Sequence, residues 1–366
     1  LRVYMGIDPT ADYAHLGHST NYIILKRFHE LGHKIIVLIG DFTAMIGDPS
    51  DKSSARIRLT KEQVNKNLKT FKSQIGKILD FNDNNNPIEF KFNSEWLSEM
   101  NFEDLISLAS HFTVQQMIER DNFEKRLHDN KPLYVHEFFY PLMQGYDSVA
   151  LEADVEIGGT DQTFNMLAGR ALVKSYLKRE KFVVSTTLLE NPVTGEKLMS
   201  KSMGTGIGLN EDPKNMYGKT MALPDEAIIQ CLIDCTYLSL AKIEKFNEDL
   251  KKGTNPRDIK AKLAHEITSI YHGKDSADKA EAEFINQFKN KHLPDDISEV
   301  RLSGTYDLLL LINNIGFGKS NAEIRRLISQ GAVKIDGVKI FDEKALITTN
   351  RGMIVQIGKR NYWKIG

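Results

Sequence analysis

Residues 1–42, LRVYMGIDPTADYAHLGHSTNYIILKRFHELGHKIIVLIGDF, decide the fold class. The opening LRVYMGID alternates like a short strand. HSTNYIILKRFHELGHK then puts Ile23, Ile24, Phe28 and Leu31 on one face of a helix, with Gly32 as its C-cap. KIIVLIGDF is a continuous apolar run ending in Gly-Asp, as a strand buried on both faces of a parallel sheet should be. Strand, helix and strand at this spacing predict a βαβ unit.

Working outward, KFVVSTTLL at 181–189 reads as a later strand of the same sheet. Between the two lie mostly helical patterns, TKEQVNKNLKTFKSQIGKIL and FEDLISLASHFTVQQMIERDNFEKRL. The expectation for 1–215 is therefore an α/β, Rossmann-like, doubly wound parallel sheet with a helical insertion at about 60–150. Residues 216–298 read as an α-helical domain, closing in a polar helix and linker, with no strand candidates. From 299 to 366 the pattern becomes a small α+β domain. TYDLLLLINNI and SNAEIRRLISQ are its helices, and AVKIDGVKI is a hairpin with Asp-Gly at the turn. There is no internal repeat.

The 366 residues carry 48 basic and 49 acidic side chains, and 41% are hydrophobic. Such a chain builds sizeable cores in two or three domains. The charge balance argues against a general basic coat for nucleic acid, though not against local basic patches. No apolar run approaches the ~20 residues of a membrane span. Opening on Leu1 inside a strand-like run, with neither initiator methionine nor leader, suggests that some N-terminal residues precede this numbering. Cys231 and Cys235 are too few for a disulfide framework or a zinc site, and read as core thiols in a reducing cytoplasm.

Four constellations carry chemistry. In HLGH, Gly17 lets a ligand approach the backbone at a helix N-terminus, while His15 and His18 add donors beside it. Taken alone, two surface histidines at a helix cap would look the same. GEKLMSKSMG, 195–204, offers Lys197, Ser200, Lys201 and Ser202 in a glycine-bracketed loop suited to a polyphosphate; alone, it could be a solvated basic loop. It lacks the spacing of a P-loop. IGGTDQ supplies Gly159, Asp161 and Gln162. YPLMQGYD sets Tyr140, Gln144 and Asp147 on one helix face, lining either a pocket or a satisfied buried network.

Together, in this order, HLGH, GGTDQ and the MSKS loop resemble the class I aminoacyl-tRNA synthetases. YMGIDPTA, MIGDPS, YPLMQGYD and GGTDQ are similar to the bacterial tyrosyl-tRNA synthetases in particular. SNAEIRRLISQGAVKIDGVKI resembles the small RNA-binding domain shared with a ribosomal protein, which that family carries at the same end. The resemblance covers essentially the whole chain. It departs at Leu198, which stands where the family's KMSKS signature has its first lysine, with Lys197 displaced by one position.

The resemblance implies a tyrosine–tRNA ligase that activates tyrosine with ATP and passes it to the 3′-terminal adenosine of tRNA(Tyr). It implies that His15, His18, Lys201, Ser200 and Ser202 serve catalysis. Gly6, Asp8, Thr10, Gly17, Lys201, Gly159 and Asp161 would meet ATP, the last two at its ribose. Tyr4 and Asp147 would hold the phenolic hydroxyl. Tyr140, Gln144 and Asp48 would surround the α-ammonium, with Gln162 near the carboxylate. Lys52 and Arg56 form a candidate pyrophosphate loop. Mg²⁺ is expected to arrive with ATP, without a protein metal cage. The resemblance further implies an anticodon-recognition role for 216–298, a homodimer and no membrane. Rivals are a tryptophanyl enzyme of the same fold, a general nucleotidyl transferase, and a catalytically idle RNA-binding relative. Asp147 and Tyr4 favour a phenol over an indole.

Overall fold

The computed structural model describes residues 1–49, 59–199, 205–288, 297–358 and 361–366. The chain divides into two compact units, Leu1–Glu281 and Ala282–Gly366.

The first unit is built on a five-stranded sheet. Its strands are β1 (Arg2–Ile7), β2 (Lys34–Ile39), β3 (Glu89–Phe92), β4 (Val155–Gly159) and β5 (Phe182–Thr186), in the order β3-β2-β1-β4-β5. Every pairing is parallel. Three helices matter for the site: α1 (Leu16–Glu30), α2 (Val135–Ala150) and α3 (Thr163–Leu177). Strand order reverses between β1 and β4, so the crevice beyond their C-terminal ends is the natural ligand position.

The apolar run of β2 is explained by two covered faces. Ile35, Val37 and Ile39 join Val3, Met5, Ile7 and the α1 residues Tyr22, Ile23 and Leu25 in the main core. Ile36 and Leu38 face the other way and pack with Tyr4, Leu151 and Ala153. Helix α1 stops where Gly32 takes φ +83°, a conformation that costs glycine little. Leu31, expected on the apolar face of this helix, is instead exposed at its C-cap.

Two strands of this sheet, β4 and β3, were not read from the sequence. β3 lies inside the stretch read as a helical insertion, and pairs Ile36–Ile39 with Glu89–Phe92. Its sequence, EFKF, is too short for a reliable periodicity. The helices after residue 215 share the main core through Ile228, Cys231, Leu232, Cys235, Leu263 and Ile267. Both cysteines are free and buried. Among the described residues no helix is long and apolar enough to cross a membrane.

The second unit holds a five-stranded sheet, order β6-β12-β11-β8-β9, and a two-stranded ladder of β7 with β10. The strands are β6 (Ser298–Val300), β7 (Thr305–Asp307), β8 (Val333–Ile335), β9 (Val338–Lys339), β10 (Leu346–Thr348), β11 (Ile354–Ile357) and β12 (Asn361–Ile365). The expected hairpin is β8–β9, with Asp336 at φ 48° and Gly337 at φ 83°, both positive as a type I′ turn requires. Thr305–Asp307, read with the following helix, is a strand; Asp307 accepts from the Leu310 N–H at 2.8 Å and so starts the helix three residues late. The helices Leu308–Asn314 and Asn321–Ser329 close a core of Leu311, Ile312, Ile324, Ile328, Val355 and Ile357.

Candidate active site

A cavity of about 310 Å³ opens where β1 and β4 end. Gly6, Asp8, Thr10, His15, Gly17 and His18 line it from the first βα connection. Gly159, Asp161 and Gln162 line it from the end of β4, and Tyr140, Gln144 and Asp147 from α2. Asp48 completes this set. Ser200, Lys201, Ser202, Lys52 and Arg56 lie outside the described residues.

At the start of α1 the two histidine rings stack, their centroids 3.8 Å apart. The His15 backbone N–H donates to His18 Nδ1 at 3.1 Å. A neutral His18 therefore carries its proton on Nε2. Gly17 keeps this corner open: a Cβ there would come within 3.1 Å of His15 Nδ1, and the ring would have to give way. Leu16 N–H donates to Ile207 O at 3.0 Å, and Leu209 N–H to Ala14 O at 2.8 Å. The segment after the MSKS loop is thus clipped alongside HLGH. Before the loop, Leu198 N–H donates to Leu189 O at 2.9 Å, and the Leu198 side chain is buried in the main core. Leucine at this position is a core residue. Lys197, one place earlier, is exposed and lines the cavity.

Carboxylates and amides crowd the rest of the cavity. Asp8 accepts from Thr43 Oγ1 at 2.7 Å and from the Tyr140 hydroxyl at 2.8 Å. Asp48 accepts from Arg120 Nη2 at 3.1 Å and from Gln162 Nε2 at 2.7 Å. At Gly159 a Cβ would lie 2.5 Å from Asp161 Oδ1, so only glycine lets that carboxylate fold back over the strand end. Asp147 is 3% exposed and accepts from Trp96 Nε1 at 2.8 Å and Asn93 Nδ2 at 3.3 Å. Burial pushes the Asp147 carboxyl well above the usual carboxylate range; the Trp96 and Asn93 donors pull it down, and the nearby Glu156 and Asp8 charges push it up. Tyr4 does not line the cavity. It is fully buried, with its hydroxyl 2.7 Å from Ser148 Oγ.

The reading from sequence missed Asn93, Trp96 and Arg120. The first two follow β3, and finding them required seeing that KFNSEWL returns to the sheet beside Asp147. Arg120 had no local signal, being buried 72 positions from the Asp48 it pairs with.

The family model of tRNA synthetases class I (W and Y) matches residues 1–289. The chain belongs to this family. An S4 domain follows at 308–350. The tyrosine–tRNA ligase of Thermotoga maritima is 43% identical, covering 100% of this chain and 90% of the relative. That of Carboxydothermus hydrogenoformans is 46% identical at the same coverage. In three dimensions the chain resembles a C-terminally truncated mitochondrial tyrosyl-tRNA synthetase of Aspergillus nidulans, with a TM-score of 0.66, 24% identity, and 79% and 86% of the two chains covered. The cavity of this class I synthetase therefore gathers imidazoles at one helix N-terminus and buried carboxylates behind amide donors. That suits a reaction in which phosphate charge must be met at one place and an amino acid gripped at another.

Proposed function

We propose that Asp147 reads the substrate hydroxyl in this class I synthetase, which, like its full-length relatives, is a tyrosine–tRNA ligase. The observation that carries the reading is Asp147, a carboxylate buried in the cavity wall and held by Trp96 and Asn93. Such a group is an acceptor for a phenolic hydroxyl, and phenylalanine would bring it no donor at all. Tyrosine-dependent ATP–pyrophosphate exchange tests this; exchange driven by tryptophan and not by tyrosine would reverse it.

The tyrosine carboxylate attacks the α-phosphorus of ATP, pyrophosphate leaves, and the 3′-terminal ribose hydroxyl of tRNA(Tyr) then attacks the adenylate carbonyl. No protein nucleophile is needed. The enzyme positions the reactants and meets developing phosphate charge with fixed donors. His15, His18 and the N–H groups opening α1 serve the phosphates, with Ser200, Lys201 and Ser202 as further donors. Gly6, Asp8, Thr10 and Gly17 approach ATP, and Gly159 and Asp161 its ribose. Asp147 accepts from the phenol, with Tyr4 close by. Tyr140, Gln144 and Asp48 take the α-ammonium, and Gln162 lies toward the carboxylate. Lys52 and Arg56 serve pyrophosphate. Mg²⁺ would accompany ATP as part of the substrate and would supply positive charge at its phosphates.

Lys197 does the work of the missing first signature lysine. Lys197→Ala should lower kcat for adenylate formation about tenfold and barely move the tyrosine KM, as loss of one exposed charged contact made in the transition state would. Lys201→Ala should act in the same direction. Single-turnover adenylate formation at wild-type rate would remove either residue from the mechanism.

The enzyme is a cytoplasmic homodimer. Phe102, Ile106, Val114 and Val135 are large apolar side chains, each more than half exposed on the helices of the insertion, where a lone subunit would leave them wet. A Phe102→Lys/Val135→Lys variant should run as a monomer in light scattering. An intact dimer would move the interface elsewhere.

A further inference from the structure

Glu156 on β4 lines the cavity; Lys181, just before β5, does not. Their side chains are 2% and 0% exposed and form an ion pair. Lys181 Nζ also donates to Met166 O on α3 at 3.1 Å. The fold makes room for this ammonium. A Cβ on Gly169 of α3 would come 2.6 Å from Lys181 Nζ and 2.7 Å from Ser148 Oγ.

Glu156 touches two routes into the amino-acid pocket. An ionised carboxylate can only accept, so each neighbour must turn a donor toward it. Gln144 donates its Nε2 to Glu156 Oε1 at 3.0 Å. Its carbonyl is thereby turned to Asn165 Nδ2, at 2.8 Å. Asn165 Nδ2 also donates to Gln162 Oε1 at 3.1 Å, and Gln162 Nε2 donates to Asp48 at 2.7 Å. Three amides are thus oriented between two carboxylates, each by its neighbour. On the other route, Ser148 Oγ donates to Glu156 Oε2 at 3.3 Å, so Ser148 accepts from the Tyr4 hydroxyl at 2.7 Å. Tyr4 can offer its proton to a substrate oxygen only if Ser148 swings its own proton away from Glu156.

We propose that Lys181 and Glu156 are positioning residues for the tyrosine pocket: their buried pair sets the direction of the Gln144 amide and the Ser148 hydroxyl, and through them the groups that meet both ends of the substrate. This rests on the assignment of Gln144, Tyr4 and Asp147 to tyrosine. Without the ammonium, Glu156 is a buried charge lacking its counter-ion, and the amides beside it lose their fixed orientation.

The test is pyrophosphate exchange on the full-length enzyme, with tyrosine and phenylalanine as substrates. Lys181→Met should raise the tyrosine KM by about 10-fold or more and lower the tyrosine-to-phenylalanine ratio of kcat/KM, as misplaced hydrogen bonds to charged groups would. The KM for ATP should stay at its wild-type value. Breaking one half of a buried pair can unfold a protein, whereas replacing both halves is often tolerated. The Lys181→Met/Glu156→Gln variant is therefore the second arm. Glutamine at 156 can present either oxygen or nitrogen, so this variant should recover the wild-type melting temperature and still bind tyrosine weakly. A folded double variant with wild-type tyrosine KM and wild-type discrimination would overturn the proposal, as would an unaffected Lys181→Met. Asp147→Ala is run alongside. Lost discrimination there with normal pair variants would sink this inference alone; normal discrimination in Asp147→Ala would sink the pocket assignment beneath it.

Discussion

Asp147→Ala is expected to lower kcat/KM for tyrosine activation about 10- to 150-fold, the value of one hydrogen bond to a carboxylate whose ionised form burial opposes and the Trp96 and Asn93 donors favour. Phenylalanine activation should fall less, or rise. The two amino acids differ by one hydroxyl, and Asp147 is the buried acceptor with both oxygens already steadied by Trp96 and Asn93. When phenylalanine enters, that carboxylate stays desolvated with nothing to accept from, and the site rejects it. In the variant the penalty disappears together with the attraction. The measurement is kcat/KM for both amino acids in pyrophosphate exchange. If Asp147 served packing alone, the variant would lose stability and both substrates would suffer equally. An unchanged ratio in a folded variant removes Asp147 as the hydroxyl reader.

Deleting residues 298–366 should leave tyrosyl-adenylate formation intact and cut tRNA charging about 100-fold at low salt. The cavity residues all belong to Leu1–Glu281, so the first step does not need the second unit. The second unit carries the S4 domain and a basic set, Arg325, Arg326, Lys334 and Lys339. Lys359 and Arg360, expected to join this set, lie outside the described residues. Lys334 and Lys339 stand directly opposite one another in the β8–β9 register. Like charges in that position destabilise a hairpin unless an anion lies across them. Arg325 is partly engaged by Glu343 at 2.7 Å, and phosphate would have to compete for it. Four phosphate contacts give a slope of about −3 to −3.6 for log K against log salt, or ~60- to 150-fold between 50 and 200 mM. The truncated enzyme should lose that dependence as well as the affinity. Normal charging by the truncated protein would assign this unit another role.

Where local backbone geometry sets the chemistry, the site was legible from the residues in order. Gly17 between two histidines at a helix start, and Gly159 beside Asp161, both fall at the cavity where the local pattern put them. Asp336-Gly337 names its turn because few residues tolerate positive φ twice in succession. The spacing of Tyr140, Gln144 and Asp147 placed all three on one cavity wall through helical period alone. Strand β2 announced a buried parallel sheet because both of its faces had to be apolar.

What the partners of those groups are, only the tertiary structure decided. Asn93 and Trp96 reach Asp147 because β3 joins the sheet edge, and four residues of mixed character do not declare a strand. Leu198 looked like a defect in a signature until the main core enclosed it and left Lys197 at the cavity. Arg120, Lys181 and Glu156 carry no local signal of burial in one dimension. They are buried because each finds an opposite charge or donor far along the chain, and the free energy that permits a charge in a core lies in that pairing, which no local pattern encodes.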